Sequence, residues 1–195
     1  YKAAVDFLQT NITSILPKDD YTADNILAKA RELVHRRGIR MLVIDPFNRL
    51  EHRIPAGQTE TQYISAFLDG LTNFAQRNHC LVILVAHPRK MNREAGSNKK
   101  TVPDLYDING SAAFYNKCDF GLVVERDREA KLTRVHVEKV KFKHLGDTGI
   151  AAFRYNPVNG RYTEYEATTF NNESWLKEEA HEQSIFNTPD DEHEI

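Results

Sequence analysis

Two short, uninterrupted apolar runs, Met41-Leu-Val-Ile44 and Leu81–Val85, constrain the fold more than any other feature of the sequence. Four or five apolar residues in a row, without the alternation of a half-exposed strand, predict a strand buried on both faces of a parallel sheet. A helical pattern precedes each run. Ile26, Leu27, Ala30, Leu33 and Val34 recur at helical spacing, with Thr22 or Asp24 as a start signal and Gly38 as the stop. Tyr63, Ile64, Phe67, Leu68, Leu71 and Phe74 repeat the pattern between Glu60 and Asn78. Two rounds of helix followed by all-apolar strand predict an α/β protein with a parallel sheet. Open sheets of this kind bind ligands beyond the carboxyl ends of their strands. Those ends carry Asp45, followed by Pro46, and His87.

The 195 residues suit about one domain. With 41% apolar and 28% charged residues, the chain fits neither a disordered, a collagenous nor a disulfide-stapled class. The longest apolar run, Cys80–Ala86, is far below the ~20 residues of a spanning helix, and the first residues show no basic start leading into an apolar stretch. No membrane partner is expected, and the expected location is the cytoplasm. Cys80 and Cys118 lack ligand spacing for zinc and read as small core hydrophobes in a reducing compartment. The net charge of -2 hides an asymmetry, because residues 171–195 hold eight acids and one lysine and leave +5 on residues 1–170. The organisation expected is a folded body over residues 1–168 and an acidic, disordered tail over 169–195.

The stretch Pro88–Pro103 is charged and apolar-poor, with Arg89, Lys90, Arg93, Lys99 and Lys100 against a single acid, Glu94, and reads as a functional surface loop. A short helix is expected over Gly110–Lys117, then strands at Phe120–Glu125 and Thr133–Phe142, where Val135, Val137 and Val140 are spaced for a strand with a register break. Turn chemistry at Gly146–Gly149 and Asn156–Gly160 brackets Ile150–Tyr155, and Arg161–Tyr165 returns as the second arm of a hairpin.

A carboxylate held rigidly at a strand end suits Mg²⁺-assisted phosphate chemistry, although Asp45 alone fits a helix cap or a turn equally well. His87 alone fits a structural histidine. Five ordered segments carry more information: Met-Leu-Val-Ile-Asp45, Leu-Val-Ile-Leu-Val-Ala-His87, Asp107-Ile-Asn-Gly-Ser through Asp119, Val-Glu-Arg126-Asp, and Lys141-Phe-Lys-His-Leu-Gly-Asp-Thr-Gly149. In order and spacing they resemble the RecA-like motor of ring-shaped replicative DNA helicases, the DnaB-like group, and within it the branch of phage primase-helicases and the mitochondrial helicase Twinkle. The fold so implied is a partial RecA-like P-loop NTPase core, a parallel sheet extended by a C-terminal antiparallel hairpin.

The resemblance implies a role for each matched residue. Asp45 matches the Walker B aspartate that holds Mg²⁺ and helps order the attacking water. His87 matches the sensor of the γ-phosphate of ATP or another NTP. Arg126 and Tyr155 fall near positions that pack on the nucleotide base, Tyr155 by way of a one-residue gap. The loop carrying Arg89, Lys90, Arg93, Lys99 and Lys100 matches a channel loop that grips single-stranded DNA, where bases suit a phosphate backbone. Lys143 falls where the family places an arginine finger that enters the neighbouring subunit of a hexameric ring, and Lys141, two residues earlier on the same side of an expected strand, is a second cation. Lysine there departs from the family, since it lacks the planar fork of arginine.

None of the nine glycines precedes a lysine, so the phosphate-cradling Walker A loop is missing from these residues. In the family that loop and the catalytic glutamate lie well upstream of the Walker B strand, and a chain opening on Tyr1 is expected to be the C-terminal part of a longer protein, nearly inactive alone. Two rivals stand beside the helicase reading. One is a stand-alone, catalytically silent module that binds nucleic acid or a ring partner; the other is a RecA-type recombinase or clock-type ATPase.

Overall fold

The computed structural model describes residues 1–88, 102–108 and 112–170, and side chains as far as Tyr165. The basic stretch with Arg89, Lys90, Arg93, Lys99 and Lys100, and residues 171–195, lie outside the described residues. The described chain divides into two compact units, one formed by residues 1–88, 106–108 and 112–117, the other by 102–105 and 118–170.

In the first unit, helix α1 (Lys2–Asn11) buries no side chain. Helix α2 (Ala23–Arg37) starts where Thr22 accepts the Asn25 N–H and stops at Gly38, whose φ of 66° is the left-handed geometry glycine allows most cheaply. Strands β1 (Met41–Ile44) and β2 (Leu81–Leu84) pair in parallel, Met41 opposite Leu81 and Ile44 opposite Leu84. Helix α3 (Glu60–Asn78) opens with a reciprocal cap, Thr59 accepting the Gln62 N–H and the Gln62 side chain accepting the Thr59 N–H. Its apolar stripe supplies Ile64, Phe67, Leu68, Leu71 and Phe74 to a core shared with Leu42, Ile44, Phe47 and Phe114, the last from helix α4 (Ala112–Lys117). Cys80 is buried in that core, as expected, while Cys118 is only half-buried.

One expectation fails here. The strands are not buried on both faces: Leu42 and Ile44 are buried, whereas Met41, Val43, Leu81 and Ile83 are 39–52% exposed. Side chains alternate across a strand, and among the described residues the core cluster takes in only one of the two faces.

The second unit is an antiparallel sheet in the order β3 (Phe120–Asp127), β4 (Leu132–Val140), β5 (Gly149–Asn156) and β6 (Arg161–Phe170). The expected hairpin is its β5–β6 half, and β6 runs on to Phe170. The expected register break is a bulge: Gly121 faces Lys139 and Leu122 faces Val137, so Glu138 is the extra residue. That extra residue returns Val140 to the face of Val135 and Val137, opposite Phe120, Leu122 and Val124. Gly121 is required by packing, because a Cβ there would overlap Leu105 Cδ1 and lie 3.3 Å from Lys139 Cβ. The Leu105 N–H is held in turn by Glu138 Oε2 at 3.0 Å.

Candidate functional site

Asp45 and His87 stand at the carboxyl ends of neighbouring parallel strands, and three hydrogen bonds fix those ends against each other. The Val85 N–H donates to Ile44 O at 2.9 Å, the Phe47 N–H to Val85 O at 2.7 Å, and the His87 N–H to Asn48 Oδ1 at 2.8 Å. Pro46 cannot continue the ladder, and the chain turns there into a short 3₁₀ segment, Phe47–Arg49. Phe47, 1% exposed and packed on the rings of Phe67 and Phe114, pins that segment to the core. The exposed pair Asp45 and His87 therefore rests on a rigid floor. Asn48 was not legible as a site residue, because an asparagine in a turn is ordinary and its reach to the next strand end is a tertiary feature.

Among the described residues Asp45 enters no ion pair, and no group of three or more His, Cys, Asp and Glu could hold a metal by itself. A single exposed carboxylate suits Mg²⁺, which binds through one or two protein oxygens and keeps water and phosphate for the rest.

In the second unit the alternation of β3 sorts its charges. Glu125 and Asp127 point to one face, where Arg134 Nη1 lies 2.8 Å from Asp127 Oδ2 and 3.5 Å from Glu125 Oε2, and His136 Nε2 lies 3.3 Å from Glu125 Oε2. The Ala130 N–H and the Arg134 guanidinium hold the Asp127 carboxyl below the usual carboxylate range. Arg126 points to the other face and is exposed. In register, Arg126 faces Thr133 and Thr133 faces Phe153, so Tyr155, two residues past Phe153, shares the face of Arg126. Strand spacing of about 4.8 Å and a rise of about 3.4 Å per residue put their Cα atoms roughly 12 Å apart. Tyr155 packs against Tyr162 at 5.0 Å between ring centres.

Lys141 and Lys143 do not share a strand. Strand β4 ends at Val140, opposite the first residue of β3, and a single further backbone bond, from Lys141, reaches past that pair before the chain turns away. The Lys141 N–H bonds Asp119 O at 2.9 Å, its Nζ lies 2.7 Å from Asp119 Oδ1, and the ammonium stands 5.2 Å from the centre of the Phe142 ring. Lys143 opens the 3₁₀ turn Lys143–Leu145, exposed and without an ion-pair partner among the described residues.

The family model of the DnaB-like helicase C-terminal domain matches residues 2–167. A Twinkle homolog of Arabidopsis thaliana, described as chloroplastic/mitochondrial, is 41% identical over 150 residues. The match covers 74% of this chain and 21% of the relative, so the chain spans about a fifth of that protein's length. Among solved structures, an ATPase domain superposes with a TM-score of 0.67 at 19% identity, over 85% of this chain and 59% of that one. A DnaB-like replicative helicase, described with its interactions with primase, gives 0.67 at 20% identity over 85% and 41%. Both carry the RecA-like fold of DnaB ATPase domains, which the parallel and antiparallel sheets match. The cytoplasmic location read from the sequence is overturned by the chloroplastic/mitochondrial relative, which points to an organelle.

Proposed function

Because the chain belongs to the DnaB-like helicase C-terminal domain family, we propose that it is part of the motor of an organellar replicative helicase, a hexameric ring that hydrolyses NTP to translocate on single-stranded DNA and unwind the duplex. The observation that carries this reading is the placement of Asp45 and His87 at adjacent parallel strand ends, braced by the Ile44–Val85–Phe47 hydrogen bonds.

In this reading Asp45 holds Mg²⁺ and orients the attacking water, and His87 senses the γ-phosphate. When bound, Mg²⁺ supplies Lewis-acid neutralisation of phosphate charge. Arg126 and Tyr155 clasp the nucleotide base from one sheet face. Lys143, exposed and unpaired among the described residues, is the cation offered to a neighbouring subunit, and Lys141 joins it by exchanging Asp119 for phosphate. Arg89, Lys90, Arg93, Lys99 and Lys100 grip the DNA backbone. With no glycine followed by lysine, these residues do not supply the phosphate loop, and the chain alone should hydrolyse no NTP.

The test is subunit mixing in the full-length protein. Lys143→Ala and Asp45→Ala should each lower hydrolysis by about 10³-fold, Lys143→Arg should retain activity, and mixed hexamers should recover it, since some sites then pair an intact Asp45 with an intact Lys143. A peak at intermediate mixing ratios supports catalysis across the interface. A flat line at mutant level, with hexamers confirmed by mass, overturns it.

A further inference from the structure

The last backbone bonds between β1 and β2 are those at Val85, and the His87 N–H lies beyond the reach of the ladder because β1 has already turned at Pro46. Its partner is a side chain: Asn48 Oδ1, at 2.8 Å. Asn48 is itself held by the 3₁₀ segment, in which Arg49 and Leu50 donate to Pro46 O and Phe47 O, and by the burial of Phe47 beside it. The carboxamide thus crosses from the end that bears Asp45 to the end that bears His87.

We propose that Asn48 is a positioning residue for His87, a latch that keeps the sensor at a fixed offset from Asp45 while phosphate is being transferred. The inference rests on the nucleotide-hydrolysis reading of the site. An exposed backbone N–H that loses this acceptor finds water, so the loop end is freed without a buried polar group being stranded. The consequence falls on geometry that matters in the transition state, and therefore on kcat before KM.

Two measurements test it. In the chain as it stands, Asn48→Ala should speed amide exchange at His87 by about fivefold, the factor equivalent to one net hydrogen bond of about 1 kcal/mol, while exchange at Val85, bonded to Ile44, stays as it was. In the full-length protein, Asn48→Ala should lower kcat for NTP hydrolysis by about 5- to 10-fold with KM within about twofold. A double-mutant cycle then asks through which residue Asn48 acts. Adding Asn48→Ala to His87→Ala should lower kcat no further. Full additivity of the two substitutions, an unchanged kcat in Asn48→Ala, or unchanged exchange at His87 would each overturn the latch. A wild-type full-length protein that hydrolyses no NTP would overturn the reading of the site and the latch with it, a result distinct from additivity.

Discussion

The two units of this chain are held together by different forces. The first has a two-stranded sheet with a short ladder, and its order comes from a continuous apolar core in which Phe47 and Ile64 are each 1% exposed. The second has three antiparallel ladders but buries few apolar side chains, among them Leu105, Leu132 and Ala152, while Leu122 and Val124 stay 57% and 67% exposed. Burial organises one and backbone pairing the other. The difference extends to function: the polar groups of the first unit sit at strand ends fixed by the core beneath them, whereas Arg126 and Tyr155 sit on a sheet face whose register places them.

If that contrast is right, the largest loss should follow from Phe47→Ala. It removes a ring packed on His52, Phe67 and Phe114 and should cost about 3–5 kcal/mol by denaturant unfolding, whereas a loss under about 1 kcal/mol would break the comparison. In the second unit the sensitive position is a backbone one. Gly121→Ala drives a methyl into Leu105 and should cost about 1–3 kcal/mol, and its effect should be strongly non-additive with Leu105→Ala in thermal melts.

Asp127 gives a smaller, pH-dependent effect. Its folded pKa is depressed from 3.8, so its contribution is present above that value and is lost as pH falls through the folded pKa. Asp127→Asn should therefore destabilise at neutral pH and converge with the parent in acid, which melts across the acid range would show; a gap that widened on acidification would contradict the sign. Smallest of all, Val124→Thr on the exposed face should move stability by less than about 0.5 kcal/mol.

Local signals were well written in the sequence. Thr22 and Gly38 act through their immediate neighbours, and the boundaries of α2 follow from them. The spacing of Val135, Val137 and Val140 betrayed the bulge, because no regular strand puts residues three apart on one face. What escaped depends on partners distant in the chain. Met41 and Val43 look like buried residues because apolarity reports preference and not the layer that is present. Lys141 and Lys143 looked like strand neighbours because the end of β4 is set by where β3 begins. Asn48 and His87 are 39 residues apart, and only the parallel register brings them to one hydrogen bond.

The extra residue at Glu138 has a consequence for how this chain tolerates change in length. A strand counts residues in odd and even, and a single unpaired member resets the count for everything after it. Removing Glu138 would close the bulge and leave Lys139 opposite Gly121 and Val140 opposite Phe120, each on the face it holds now, while taking away the carboxylate that holds the Leu105 N–H. One codon lost at the bulge thus leaves the parity of the strand's end intact, just before Lys141, and the cost falls on Leu105 instead. The turn at Asn156–Gly160 tolerates the opposite change, because a residue added there lengthens the loop and leaves both arms of the hairpin in count.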